Sequence, residues 1–252
     1  MKIGLSVIGY SRPQYLDQCL ASLDKYSWGG ATYKQVVLDY RDEKTRLENI
    51  AVAAKYGVSN IVYFTENKGV AKTKNEALKR MLNEDCDHLF LMEDDILMTA
   101  ANVCHEYINT ANTYGVQHLN FAHHGPANKG HKRVLEWNDK LVLVHPHCVG
   151  AFSYYSKECL EKVGLIDEKF HNAWEHVEHT KRIIDAGMHP PFWHFADCPL
   201  SPYLLQEIPG SIDESSIRPR SDWRSNIEAG KEYWIKKHNQ WLPPFAVDFW
   251  NR

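Results

Sequence analysis

Over residues 1–100, short apolar runs alternate with longer segments whose apolar side chains recur at helical spacing. No other feature constrains the fold as much. Residues 2–9, 35–39, 60–64 and 88–92 read as buried strands, and 14–26, 44–56 and 70–83 read as helices. Pro13 suits the first turn of a helix and Gly57 suits a helix end. Tyr15, Leu16, Cys19, Leu20 and Leu23 share one helical face, as do Ala71, Ala77, Leu78, Met81 and Leu82. Strand–helix alternation at this spacing predicts an α/β protein with a parallel sheet and right-handed crossovers. Ligands of such sheets bind beyond the carboxyl ends of the strands.

The fourth apolar run leads into Glu93-Asp94-Asp95, and a further apolar run, Ile96-Leu97-Met98, follows. Three adjacent carboxylates at the end of a buried strand repel one another, and charge is rarely placed there without a neutralising cation. Mg²⁺ and Mn²⁺ prefer oxygen ligands, usually one or two carboxylates plus the phosphates of a substrate. Asp95 is the candidate ligand, Asp94 could reach a ribose hydroxyl, and Glu93 could act through water. Asp39 ends the second strand in the same way. It could accept from a base N–H or a ribose, or it could cap a turn. Residues 66–75 join a tight turn at Asn67-Lys68-Gly69 to a helix start carrying Lys72, Lys74 and Asn75. Backbone N–H groups and lysines there could meet a diphosphate. Neither a Walker spacing nor a Gly-x-Gly-x-x-Gly after the first strand is present.

These residues carry a family resemblance. Leu5-Ser6-Val7-Ile8-Gly9-Tyr10-Ser11-Arg12-Pro13 resembles the opening of family 2 glycosyltransferases with the GT-A fold. An aspartate after the second strand, Asn67-x-Gly69 with the later Asn75, and a DXD-like acidic triplet follow in the same order. The Glu-Asp-Asp form is also similar to GT-A N-acetylglucosaminyltransferases. The resemblance runs from about residue 2 to residue 200. It implies a GT-A (Rossmann-like) catalytic domain over 1–207, with a nucleotide-sugar half (1–100), an acceptor half (101–207) and a C-terminal extension or lid (208–252). It also implies a nucleotide-sugar donor, most often a UDP-sugar, bound with Mn²⁺ or Mg²⁺. Carried across, Ile8, Tyr10, Arg12 and Asp39 would hold base and ribose. Lys74 would lie near the phosphates, Asp94 near the ribose with Glu93 beside it, and Asp95 on the metal.

Beyond residue 100 the pattern predicts a helix at 101–114, strands at 117–122 and 140–145 around a polar loop (123–133), and a strand at 149–155. Helices at 157–163 and 175–186 and a last strand at 190–195 follow. Gly150-Ala151-Phe152-Ser153-Tyr154, then residues 164–170, then Trp174-Glu175-His176-Val177-Glu178 resemble the acceptor half of the same family. There a Glu-Asp pair opens a helix, and in inverting members its aspartate deprotonates the acceptor hydroxyl. This chain has His176 at the aspartate position. A neutral imidazole can serve as general base, and Glu175 or Glu178 could do so instead. Glu175, Glu178, His179 and Arg182 fall on one helix face. His194 resembles the late histidine that many GT-A enzymes place on the metal. His123-His124 and His145-Pro146-His147-Cys148 lack zinc-site spacing and read as structural.

The six cysteines are scattered with no Cys-x-x-Cys, and no signal peptide is recognisable. Both features predict reduced thiols in a cytoplasm. No run reaches the roughly 18 apolar residues a membrane span needs. A net charge of −3 exerts no overall pull toward nucleic acid. The acceptor could be a saccharide or lipid-linked glycan, or a hydroxymethylated DNA base of the kind some phage enzymes glycosylate. The basic loop at 129–133 and a tail holding Arg218, Arg220, Trp223, Arg224, Trp234, Trp241 and Trp250 would suit a phosphate backbone or base stacking. One rival is a sugar-phosphate nucleotidyltransferase, whose Gly-x-Gly-x-Arg loop Gly9-Tyr10-Ser11-Arg12 does not reproduce. The other is a catalytically inactive nucleotide-sugar-binding module.

Overall fold

The computed structural model describes residues 1–171, 173–211, 213–214 and 221–239. Its first half is β1 (Ile3–Gly9), α1 (Pro13–Lys25), β2 (Tyr33–Leu38), α2 (Glu43–Lys55), β3 (Ile61–Tyr63), α3 (Val70–Asn83) and β4 (His88–Glu93). Then come β5 (Ile96–Met98), α4 (Val103–Tyr114), β6 (His118–Asn120), β7 (Arg133–Trp137), β8 (Lys140–His145) and β9 (Phe152–Ser156). The chain continues through α5 (Lys157–Val163), α6 (Glu175–Asp185), β10 (Phe195–Ala196), α7 (Ser201–Leu204), β11 (Leu205–Glu207) and α8 (Trp223–His238). The main sheet has the order β3-β2-β1-β4-β9-β6. β1 pairs in parallel with β2 and β4, and β2 with β3, whereas β9 runs antiparallel to both β4 and β6. This is the mostly parallel α/β sheet that the alternation predicts.

Strand order positions the site. The chain leaves β1 for β2 on one side and returns to β4 on the other, so strand order reverses between β1 and β4. A crevice opens at such a point, outside the carboxyl ends of the strands. In register, Gly9 lies against Leu38 and Ile8 against Glu93. Asp39, Tyr10 and the acidic triplet therefore emerge at one edge.

Both sheet faces are covered. Every residue of β1 is buried, as a strand between two helical layers requires. Ile3, Leu5, Val7, Phe90 and Met92 pack with α1 and α4, and Leu89 and Leu91 pack with Ala77, Leu78 and Met81 of α3. Burying each such side chain contributes about 1.5–3 kcal/mol. No helix among the described residues is long and apolar enough to cross a membrane.

Two stretches differ from the sequence expectation. The region read as a loop ending at 133 leads into β7, which pairs with β8 across a turn where Asn138 and Asp139 adopt φ of 48° and 59°. Two successive positive φ values mark the tight hairpin turn that Asn and Asp tolerate. The predicted strand at 190–195 is mostly a turn, with Trp193 at φ 69°, and only Phe195–Ala196 pairs with β8. Pro190-Pro191 lack the N–H donors a ladder needs.

Four histidines, His118, His145, His179 and His189, are buried. Burial drives His118 well below 6.5, His145 and His189 down to about 4, and His179 down to about 3. Each is neutral when folded and takes a proton when unfolded below about pH 6.5. Stability is thus complete above that pH and is lost as pH falls through the intervening range. Burial raises Asp94 and Asp197 to about 7, which acts in the opposite sense between about pH 4 and 7. The histidines outnumber these carboxyls. The melting temperature is therefore expected to fall steadily from pH 6.5 to 4.5 in thermal scans, and a rise over that interval would contradict this accounting.

Candidate active site

A cleft of about 550 Å³ opens over the β1–β4 crevice. That volume suits a nucleotide-sized ligand. Its floor is Ile8, Gly9 and Tyr10 from the end of β1, with Asp39 from the end of β2. Asn67, Gly69, Val70 and Thr73 bring in the start of α3. Asp39 is held hard by the backbone: Oδ1 accepts from the N–H groups of Tyr40 and Lys68, each at 2.8 Å, and Oδ2 from that of Gly69 at 2.9 Å. The turn at Asn67–Gly69 is therefore folded around this carboxylate. Gly69 has φ 80°, and a Cβ there would meet the His171 ring at 2.8 Å, so the turn needs glycine. The positive end of α3 faces the cleft behind it.

The acidic triplet forms one wall. Glu93 and Asp94 line the cleft, and Asp95 lies just behind them, 5% exposed. Arg12 Nη2 donates to Asp94 Oδ1 at 2.7 Å and to Asp95 Oδ2 at 2.9 Å, and its Nη1 donates to Ser211 O at 3.1 Å. Burial, reinforced by Asp95, pushes the Asp94 carboxyl up to about 7 against the pull of Arg12. Burial also opposes ionisation of Asp95, but His124 and Arg12 outweigh it and hold that carboxyl below its usual range. The free oxygen, Asp95 Oδ1, is buried and has no hydrogen-bond partner. His124 Nε2 is buried, makes no hydrogen bond either, and lies 3.6 Å from it, within ion-pair distance when the imidazole is protonated. Two facing ligand atoms at that spacing also fit a divalent cation with bonds of about 2.1 Å when the imidazole is neutral. The donor set accordingly suits Mn²⁺ or Mg²⁺, with the imidazole supplied by His124. His194 instead sits in the turn after Pro191, with Nδ1 3.1 Å from Phe192 O, and does not line the cleft.

The opposite wall is the start of α6. Glu175 and His176 both line the cleft, and His176 Nδ1 is 3.1 Å from Glu175 Oε1. Lys74, 2% exposed, reaches under the cleft to Glu93 Oε1 at 2.9 Å and Glu175 Oε1 at 3.4 Å, so one buried cation ties the two walls together. Burial disfavours the charge on Lys74, but Glu93 and Glu175 reverse the effect and raise its pKa. Burial likewise pushes Glu175 up, yet His176 and Lys74 carry it down to about 2. Gly150 makes the junction possible. Its carbonyl is 3.3 Å from Lys74 Nζ, and a Cβ there would lie 3.0 Å from the His176 ring.

Glu178 is not at the cleft. It is fully buried beneath α8 and meets Arg182 Nε at 3.1 Å, Lys237 Nζ at 2.8 Å and His238 Nε2 at 3.3 Å. This corrects its candidacy as a base, because no acceptor can reach a carboxylate so enclosed. Trp174 and Trp223, singled out above in the motif at the start of α6 and in the tail, line the cleft, and so do Ala173 and Ile227, which no sequence signal marked. Trp174 stands at the start of α6 with φ 72°, and its Nε1 donates to Ile227 O at 3.1 Å. A bulky residue held in the left-handed region costs about 1–3 kcal/mol and persists only where its surroundings enforce it. Here α8 does so. Of the tail residues singled out above, Arg218, Arg220, Trp241 and Trp250 lie outside the described residues, and Trp234 is fully buried in α8.

No protein-family profile matches the sequence, and no curated protein matches it. Solved structures do. S. aureus TarS residues 1–349 superpose with a TM-score of 0.53 at 13% identity, covering 95% of this chain and 72% of that one. The same fragment in complex with UDP gives 0.53 at 15% identity, covering 73% of this chain and 56% of that one. Against longer TarS the chain spans 34% of the length. A likeness with a TM-score of 0.49 is to the catalytic domain of Drosophila beta1,4-galactosyltransferase 7 in complex with xylobiose. The TarS likenesses show the fold: an α/β chain with the GT-A arrangement, a central, mostly parallel sheet flanked by helices.

Proposed function

We propose that this chain is a glycosyltransferase that moves a sugar from a nucleotide-sugar, with a UDP-sugar favoured, to an acceptor hydroxyl. One observation carries the reading. A single cleft faces an acidic, arginine-braced wall at the end of β4 with a carboxylate-oriented imidazole at the start of α6. The TarS fragment that shares the fold was crystallised with UDP, which favours a uridine donor.

The base and ribose would lie on Ile8, Tyr10 and Asp39, with Asp94 near the ribose. Asp95 and His124 would hold Mn²⁺ or Mg²⁺. That ion would neutralise the leaving nucleoside diphosphate. The positive end of α3 adds to the same stabilisation. His176 is the preferred base. A ring N–H at Nδ1 donates to Glu175, which leaves the Nε2 lone pair to accept the acceptor's proton. Glu175 is a poor base itself, since Lys74 and His176 keep it ionised down to about pH 2. The deprotonated oxygen attacks the anomeric carbon as the bond to the diphosphate breaks on the opposite face, so the reaction inverts.

Trp174 and Trp223 on the cleft favour a saccharide acceptor, because aromatic faces stack on sugar rings. Lys129, Lys132 and Arg133 are exposed but do not line the cleft. The deciding experiment is UDP release from a panel of UDP-sugars with and without Mn²⁺. The reading requires Mn²⁺-stimulated release from at least one donor. Pyrophosphate formation from a sugar phosphate and UTP would indicate a nucleotidyltransferase, and binding without turnover an inactive module. A steep loss of transfer with salt would move the acceptor to DNA.

A further inference from the structure

A second group of ligand-type side chains lies away from the cleft. His123 follows β6, His145 ends β8 and Asp197 follows β10, and one ligand atom of each lies within 4.8 Å of the others. None of them lines the cleft. His145 is fully buried, and its Nδ1 meets His131 O at 3.0 Å. A carbonyl only accepts, so the proton is on Nδ1 and the lone pair is on Nε2. That nitrogen is buried with no hydrogen-bond partner. An unsatisfied buried polar atom is costly, and an imidazole whose other nitrogen donates to a backbone carbonyl is oriented as metal-bound histidines are. The half-buried His123 ring stands across it, with centroids 5.1 Å apart.

Asp197 completes the set. It is fully buried, and its oxygens accept from Tyr107 Oη at 3.0 Å, Cys198 N at 2.7 Å, Ala122 N at 3.0 Å and Ser201 Oγ at 2.6 Å. All four donors are neutral, and no Lys or Arg ion-pairs with it among the described residues. Four donors fix the carboxyl in place, and a cation bound beside it would supply the counter-charge that no Lys or Arg among the described residues provides.

We propose that His123, His145 Nε2 and Asp197 form a structural divalent-metal site of the zinc type, with water as fourth ligand. Two imidazoles and one carboxylate suit Zn²⁺. Bound there, the ion cross-links the stretch after β6, the end of β8 and the stretch after β10. Local ligand spacing gives no sign of it, because the three residues are far apart in sequence.

The test uses untagged full-length protein carrying Asp95→Ala, which removes the acidic-wall ligand, stripped with chelator and titrated with Co²⁺. The proposal expects one equivalent bound with visible d–d absorption, displaced by Zn²⁺, and a melting temperature raised by Zn²⁺. Adding His123→Ala, a change at a half-buried position whose folding circular dichroism checks, should weaken Co²⁺ binding at least tenfold and remove the Zn²⁺-dependent rise. In otherwise unaltered protein, His123→Ala should remove the same equivalent. Absence of Co²⁺ absorption in the Asp95→Ala protein, or equal affinity with and without His123, would overturn the proposal.

Discussion

Asp95→Ala is expected to lower sugar transfer by about 10³-fold or more. A bound cation supplies several kcal/mol of stabilisation to a departing diphosphate, and each 1.36 kcal/mol is a factor of ten. Asp95 holds the one buried, unpartnered carboxylate oxygen on the acidic wall, and it faces His124. Its loss removes the anionic ligand outright. Arg12 keeps its bond to Asp94, so the wall should remain folded. The readout is UDP release at saturating donor and Mn²⁺, with circular dichroism as the control on folding. The Mn²⁺ stimulation itself should vanish along with the rate. His124→Ala should move in the same direction with a smaller loss. His194→Ala should leave the Mn²⁺ dependence unchanged, because that side chain lies in a turn away from the cleft. Full turnover by Asp95→Ala protein would remove the metal role from this wall.

His176→Ala is expected to reduce kcat by about 10²–10⁴-fold, the usual contribution of general-base catalysis. The KM for the donor should change little, since the residue is assigned to the acceptor side. Glu175→Gln probes the same pair more gently. It preserves an acceptor for His176 Nδ1 but removes the charge that Lys74 balances, so a smaller loss in kcat is expected. Glu175 stays ionised down to about pH 2, so its own titration leaves no mark on the profile near neutrality. An unchanged kcat in His176→Ala protein would transfer the base role elsewhere.

The parallel half of the fold was legible because its strands are buried on both faces and read as unbroken apolar runs, β1 most plainly. The start of α6 was legible for a different reason: its glutamates suit the positive end of a helix. β7 was not legible. It lies in the outer three-stranded sheet, where Val134 is 65% exposed and Leu141 of the neighbouring β8 is 70% exposed, so no inward-facing pattern marks it. β10 was overestimated because Phe192, Trp193 and Phe195 look strand-like, while the two preceding prolines deny the backbone its ladder.

The site divides in the same way. Asp39 and the acidic triplet announce themselves as charges at strand ends, a local signal. Lys74 was placed near phosphates, but its two carboxylate partners lie on different elements, and only the folded chain brings Glu93 and Glu175 to one ammonium. His124 was passed over because its neighbour in space, Asp95, is distant in sequence. The helix-face reading of Glu175, Glu178, His179 and Arg182 was sound as periodicity. Which end of that face meets the cleft depends on α8, and its Lys237 and His238 close over Glu178.

The most direct test is a crystal structure of the protein grown with UDP and Mn²⁺. Uracil and ribose should lie over Ile8, Tyr10 and Asp39, with the ion in contact with Asp95 Oδ1 and the diphosphate. A nucleotide bound away from the β1–β4 crevice, with no cation beside Asp95, would contradict the account at its root.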